Sequence, residues 1–440
     1  MKKSFPWIRI ALVSCVLGFA VGALLPSHSV AGNLRQYPNL ALVARKSLEK
    51  NINQVSTGQY LSAGQHQFRG LWTRDFAFAA NGLLAIGRNE VVRDHLFLIL
   101  RNLREKDGLV PRYLDNASTA VRYMAQPFKI RVPLREPLKP NFAGGSNQGV
   151  TIDSNALVIL AALNYLDATG DWETWNAMEP DLIRAYRFYD SQLEEGLVKQ
   201  GAFADWQDSV KRRGFTFFVN VLYWSATQRL VKFPGFTVNQ DQADRLRERI
   251  LARFQDPITG LYSSILGDRT RTGEARISLD GLLLAVDLGL IPYGSREAQL
   301  LYEALKRHPL WRVNGRSPGA ATWPIYDAKD VEKIPKSFGL VHYHDTIYWS
   351  WLMGLAAKVT FRMGDLSESD AILDELERVS LRDGAVAEVY RPEEELPLCN
   401  TRIYKAERPF SWGSGLILEA LAARSAAAHQ ETFRQGSLSH

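Results

Sequence analysis

Three observations predict an all-α fold, an (α/α)6 toroid. Apolar residues recur at three- and four-residue spacing in twelve segments, strand signals are few and short, and the helical segments alternate in character along the chain. The segments are 38–52, 73–87, 88–105, 151–168, 171–195, 212–232, 238–255, 277–289, 295–307, 344–363, 366–380 and 411–428. Those at 73–87, 151–168, 212–232, 277–289, 344–363 and 411–428 are apolar or aromatic nearly all round. The others carry charge on one face. A helix apolar on every side is enclosed by protein and an amphipathic one lies outside it, so six inner helices alternate with six outer ones. No short sequence repeat accompanies this alternation.

Taken in order, the first 31 residues read as a targeting segment. Lys2 and Lys3 precede an uncharged apolar run from Ile10 to Leu25, and Ser29-Val30-Ala31 supplies small residues for cleavage. This predicts a signal peptide or an uncleaved N-terminal anchor, with the protein exported to the periplasm or secreted. Residues 32–430 form one catalytic-size domain and 431–440 a flexible tail. Helix ends are punctuated by Gly87 with Asn89, Thr169-Gly170-Asp171, Pro292 with Gly294, and Gly364-Asp365. The connection "PFKIRVPLREPLKPNFAGGSNQG", residues 127–149, is long and rich in Pro and Gly, as lids and binding elements are.

Composition excludes several function classes. The 440 residues carry a formal charge of +6, and removal of Lys2, Lys3 and Arg9 with the leader leaves +3, too little to argue for a nucleic-acid partner. Cys15 and Cys399 are the two cysteines, and cleavage removes the first, so no internal disulfide is expected. The eight histidines show no metal-ligand spacing, and neither metal nor cofactor is expected. Membrane association is expected only through an uncleaved anchor.

Each inner helix is preceded by carboxylates, hydroxyls and aromatics: Trp72 with Arg74 and Asp75; Asp153-Ser154; Asp205-Trp206-Gln207-Asp208; Ser278 with Asp280; His342-Tyr343-His344-Asp345; and Phe410-Ser411-Trp412. Asp or Ser at such positions is also an ordinary N-cap. A cap needs no tryptophan beside it, however, and flat rings among carboxylates and an arginine suit a sugar, with its apolar C–H faces and rim of hydroxyls. In a toroid the polar residues heading the inner helices converge on one funnel. Asp208 follows Trp206 and precedes a strongly apolar helix, so desolvation would favour its protonated form, while Lys211, Arg212 and Arg213 oppose this if they approach. Asp205 is its rival. Glu388 sits in an extended segment flanked by apolar and aromatic residues, unlike the solvated run Glu393, Glu394 and Glu395. Two carboxylates facing each other across a sugar pocket are the equipment of glycoside hydrolysis.

Together, "LWTRDFAFAANGLLAIGR", "DGLVPRYLD", "TIDSNALVILAALNYLDATGDW", "DWQDSV", "YHDTIYWSWLMGLA", "AEVYRP" and "PFSWGSGLIL" resemble, in order over residues 38–428, the six-hairpin glycosidase superfamily. The nearest members are the amylo-α-1,6-glucosidase domain of glycogen debranching enzymes, the processing α-glucosidases and the neutral invertases, with glucoamylases more distant. The resemblance implies an oligosaccharide or small-glycoside substrate, Asp208 as general acid and Glu388 as general base. It also implies sugar binding by Trp72, Arg74, Asp75 and Asp153, with Tyr343, Trp349 and Trp412 as pocket walls and Trp206 beside them. The chain departs from the debranching pattern in having Trp-Gln-Asp for Trp-Met-Asp, His344-Asp345-Thr346 where a Gly is preferred, and no separate transferase domain. The expected activity is therefore an inverting exo-hydrolase of α-glucosidic bonds. Alternatives are a neutral-invertase-like or glycosylglycerate hydrolase, a catalytically inactive carbohydrate-binding protein, and a terpenoid-cyclase-like toroid, against which Arg74 and Asp75 argue.

Overall fold

The computed structural model describes residues 34–437 apart from positions 129, 146, 147, 313, 314, 317 and 319; the expected leader lies outside the described residues. The helices are α1 (Pro38–Asn51), α2 (Thr73–Ala85), α3 (Asn89–Leu100), α4 (Thr119–Ala125), α5 (Asp153–Thr169), α6 (Trp172–Arg187), α7 (Phe217–Leu230), α8 (Gln240–Phe254), α9 (Leu279–Asp287), α10 (Arg296–Arg307), α11 (Lys333–Ser337), α12 (Ser350–Arg362), α13 (Leu366–Asp383) and α14 (Ser411–Ser437). Helices α2, α5, α7, α9, α12 and α14 pack each against the next, and α14 returns to α2, closing an inner ring. The remaining long helices flank it. The twelve expected helices are present, and α4 and α11 are additions on loops that sequence periodicity left blank. Helix α14 runs to Ser437, into the segment expected to be a tail.

The two helix classes differ in burial as the patterning predicts. In α5 every residue from Asp153 to Leu163 is buried, whereas α8 buries Ala243, Leu246, Ile250 and Phe254, one stripe at helical spacing. They also begin differently. Outer helices α6, α8, α10 and α13 are capped by the side chains of Asp171, Asn239, Ser295 and Asp365. Inner helices α2, α5, α7, α9 and α12 have no side-chain cap. Four of them are entered instead through two-residue strands, each laddered to a neighbouring loop segment: Leu71–Trp72 pairs with the strand Tyr113–Asp115, Gly214–Phe215 with the strand Leu197–Gln200, Ile277–Ser278 with Thr322–Trp323, and Tyr348–Trp349 with Val389–Tyr390. The carboxylates heading the inner helices are therefore released from capping duty.

The inner ring is tightest where it closes. A Cβ on Gly82 would lie 2.5 Å from the Cα of Gly415, and one on Gly415 would lie 2.4 Å from the Cα of Ala79. A Cβ on Gly354 of α12 would stand 3.0 Å from the backbone nitrogen of Ile417. Helix α14 is thus held between α2 and α12 backbone to backbone. One turn or more further along, Lys358 donates to Asp287 at 2.9 Å and to Glu419, which also accepts from Asn81 at 3.0 Å, so α2, α9, α12 and α14 share one buried polar bolt. On an open helix Gly→Ala stabilises by about 0.5–1 kcal/mol. Gly415→Ala should do the reverse and cost roughly 1–3 kcal/mol, because the added methyl meets backbone that cannot step aside. Urea unfolding measures this, and an unchanged or raised midpoint would remove the close approach as a constraint.

Candidate active site

A cavity of about 550 Å³ opens at the end of the ring where the inner helices begin. Trp72, Arg74, Asp75, Trp206, Asp208, Tyr343, Trp349, Glu388 and Trp412 all line it. Nine of the ten residues singled out in the sequence therefore share one chamber, drawn from positions 72 to 412. Its floor is plugged by stacked rings: Trp351 on Trp412 at 4.2 Å and Phe78 on Trp412 at 4.7 Å, with Trp206 edge-on to Trp351 at 4.9 Å and to Trp349 at 5.4 Å. Trp206 is fixed further by donating its indole N–H to Asp280.

Asp208 lies on the loop between the strands at 197–200 and 214–215. Main-chain bonds hold that loop to the segment before α11, from the Lys211 nitrogen to the Asp330 carbonyl at 2.9 Å and from the Glu332 nitrogen to the Ser209 carbonyl at 2.8 Å. The glycines that end the long 127–149 connection supply the other side: a Cβ on Gly145 would stand 1.7 Å from the Asp208 carbonyl oxygen. That connection packs against the Asp208 loop and helps to seat it. The Asp208 carboxylate accepts from the Arg112 guanidinium, lies 3.5 Å from Arg74 Nη1, and has His344 Nε2 at 3.9 Å. Burial pushes this carboxyl up, but Arg112, His344 and Arg74 together outweigh it and hold the group well below the usual carboxylate range. These groups favour the ionised form of Asp208, against the expected tendency toward a protonated one. The cause is neither Lys211, Arg212 nor Arg213, but Arg74 from α2 and Arg112 from the strand-entry segment.

Arg74 itself is aimed by Asp153, which accepts from Nε at 2.7 Å and from Nη2 at 3.1 Å. Asp153 is fully buried and does not line the cavity, which corrects its expected role: it orients Arg74 and does not reach a sugar. Asp205 is likewise removed as a rival acid. It is fully buried, accepts from the Gln200 amide and the Gln207 N–H at 3.0 Å each, and faces Arg212 at 3.5 Å.

Glu388 is placed by the ladder that introduces α12, since the Ser350 nitrogen donates to its carbonyl at 3.1 Å. Its carboxyl is 1% exposed and takes the hydroxyls of Tyr343 and, at 2.6 Å, Tyr404, with the Glu407 N–H at 3.0 Å. Burial pushes Glu388 up to about 8, against the hydrogen bonds from Tyr343, Tyr404 and the Glu407 N–H. No arginine or lysine is paired with it among the described residues. Asp75, on α2 beside Arg74, is pushed up to about 7 by burial against the pull of Arg74. At neutral pH these surroundings favour an ionised Asp208 and a protonated Glu388.

Sequence reasoning did not single out Arg112, Tyr123, Tyr404 or His344 as site residues. Arg112 stood inside the quoted "DGLVPRYLD", and its guanidinium lies 5.2 Å from the Trp72 ring centre as well as on Asp208. Tyr404 lay in a loop with no periodicity. His344 is 2% exposed and neither ring nitrogen has a hydrogen-bond partner among the described residues.

No family profile matches the chain, and no curated protein does. Solved structures do. A glycosidase superposes with a TM-score of 0.59 at 16% identity, over 88% of this chain and 97% of its own. The GH63 mannosylglycerate hydrolase from Thermus thermophilus, in complex with glucose, gives 0.58 at 13% identity, over 86% and 99%. A rhamnosidase from Klebsiella oxytoca with rhamnose bound gives 0.57 at 15% identity, over 88% of this chain and 63% of that one. At these identities the likeness is one of fold, the (α/α)6 toroid.

The protonation of Glu388 has a measurable consequence. Its folded-state value is raised from 4.5 to about 8, so between those limits the unfolded chain releases a proton that the folded one retains, and the wild type loses stability as pH rises. Glutamine does not titrate and can keep the tyrosine bonds. Glu388→Gln should therefore gain on wild type between pH 5 and pH 8 by on the order of 1–3 kcal/mol and then level off. Denaturant melts across that range measure it; a difference that is flat in pH would place Glu388 in an ordinary carboxylate environment.

Proposed function

We propose that the protein is an inverting, exo-acting glycoside hydrolase of an α-glucosidic bond, with Asp208 as general acid and Glu388 as general base. The observation that carries this reading is the meeting of two carboxylates, 180 positions apart, in one blind cavity walled by Trp72, Trp206, Trp349 and Trp412 and provided with Arg74 and Asp75. A floor closed by stacked rings suits the end of a glycan better than its middle. Arg74, locked by Asp153, and the neighbouring Asp75 offer fixed donors and an acceptor to sugar hydroxyls. Asp208 would deliver a proton to the departing glycosidic oxygen while Glu388 draws one from a water attacking the opposite face, through an oxocarbenium-like transition state. The glycosidase fold and the sugars in related structures support this reading. The leader supports an exported enzyme, for which the mature protein outside the cytoplasm should begin near residue 32.

This route needs the proton on Asp208 and the negative charge on Glu388, the converse of what their surroundings favour. Sugar hydroxyls that take up the N–H groups of Arg74 and Arg112 would weaken their hold on Asp208, and a water bound between tyrosine hydroxyls and Glu388 would favour its ionised form. The resting charges favour a second reading, in which Glu388 is the acid and Asp208 the base. The two predict the same bell-shaped pH profile, because each requires one proton shared between the pair.

Leaving-group chemistry separates them. A glucosyl fluoride or nitrophenyl glucoside departs without a proton, so loss of the acid spares it, whereas loss of the base does not. Asp208→Asn should lower turnover of maltose or isomaltose by about 10²–10⁴ while retaining most activity on the fluoride, and Glu388→Gln should lose both. The reverse pattern would exchange the roles, and wild-type turnover in both variants would end the assignment. Proton NMR of a panel of isomaltose, maltose, limit dextrin, sucrose and glycosylglycerates reports the sugar and the anomer first released. Release of the anomer with the substrate's configuration would exclude inversion.

A further inference from the structure

The cavity has two zones of different chemistry. The inner zone carries the tryptophans, arginines and carboxylates described above. The outer zone is built by α4 and α11, which come from separate stretches of chain and meet through Tyr123 and Phe338, ring centres 5.4 Å apart. Its other large side chains are Met124, Ile334, Pro335 and Leu340. Met124 is 64% exposed and Ile334 54% exposed, on a protein that exposes few large apolar side chains.

The polar groups of this wall are mostly spent on their own helices. The Ser118 hydroxyl caps α4 by accepting from the Val121 nitrogen at 3.4 Å, and the Ser337 hydroxyl donates to the Ile334 carbonyl at 2.7 Å. Glu332 stands at the inner edge, within electrostatic reach of Asp208 and Arg112, and Thr119 and the phenol of Tyr123 are the remaining hydroxyls. A second sugar would need many donors and acceptors for its hydroxyls, and this wall offers two hydroxyls and the Glu332 carboxylate at its edge. Branched and thioether aliphatics beside the Tyr123 and Phe338 rings fit a hydrocarbon, alkyl or aryl. An apolar mouth continuous with a polar catalytic chamber matches a molecule with the same division.

We propose that the leaving group of the substrate is apolar, an alkyl or aryl moiety that lies between Met124 of α4 and Ile334 of α11 while the sugar occupies the tryptophan chamber. This rests on the hydrolase reading and names the substrate class it left open: glycosides of hydrophobic alcohols, ahead of oligosaccharides. Burial of the chain in the mouth is uniform binding, so it acts on kcat/KM.

The experiment is a series of alkyl α-glucosides from methyl to octyl, below their micelle concentrations, set beside maltose and isomaltose. kcat/KM should rise by about two- to fourfold per methylene over the first few carbons, up to the ~0.8 kcal/mol of burying one CH₂, and the longer members should exceed the disaccharides. The double substitution Met124→Ser with Ile334→Ser should flatten that slope, and because both side chains are exposed its thermal unfolding should match wild type. Hydrolysis with no dependence on chain length, or disaccharides preferred throughout, would overturn the apolar leaving group and leave the hydrolase intact. Chain-length independence together with binding of the wild type to phosphatidylcholine vesicles would assign the patch to a lipid surface and also overturn it. Failure of every glycoside, methyl and disaccharide included, would overturn the hydrolase reading beneath it.

Discussion

The site depends on the contact that closes the ring. Helix α14, last in the chain, lies against α2, first of the inner helices, with Gly415 over Ala79 and Gly82 so closely that no side chain separates the backbones. Only that closure brings Trp412 at the head of α14 beside Trp72, Arg74 and Asp75 at the head of α2. The polar bolt from Lys358 to Asp287, Glu419 and Asn81 ties the same helices further along. Short ladders then pass the closure on to the loops. Trp72 is registered against Tyr113, which sets Arg112 over the cavity, and Trp349 against Val389, which sets Glu388. A ring open at α2 and α14 would keep its helices and lose the chamber.

Within the chamber, the contrast between the two carboxylates follows from the kinds of donor around them. Asp208 meets guanidinium groups, which carry full charge and stabilise only the ionised form. Glu388 meets two phenols and a backbone N–H, which are dipoles in a dry setting and do not repay the desolvation of a full charge. Glu407, close by and fully buried, adds a second acidic group to that side.

Much of this was legible in the chain. The twelve helices followed from burial, because a helix enclosed on all sides carries few charges, and those paired, whereas one lying outside carries many. The alternation then implied a ring, and the ring implied convergence of Trp72, Asp208, Glu388 and Trp412. What could not be read was direction and distance inside loops. Asp153 and Asp205 have the same local signature as Asp75 and Asp208, yet two rotate under the floor and two face the cavity, a difference set by Arg74 and Arg212. The charge on Asp208 was misread for the same reason: adjacent Arg212 and Arg213 were visible, whereas the effective cations come from positions 74 and 112. Helices α4 and α11 were missed because five to seven residues carry too little periodicity to register.

The floor that fixes these side chains is itself costly. Arg212 is fully buried, with Asp205 at 3.5 Å and Asp280 at 3.8 Å but no hydrogen bond to its guanidinium among the described residues. The indole nitrogens of Trp351 and Trp412 are also buried without hydrogen-bond partners among the described residues. Unmet buried donors each cost about 1–3 kcal/mol, and a packed hydrocarbon floor would avoid that. Such a floor could not hold Trp206 by its N–H or set Arg74 against a fixed carboxylate. Beneath the cavity, the buried carboxylates of Asp280 and Asp153 fix the Trp206 ring by its N–H and the Arg74 guanidinium by a two-point hydrogen bond.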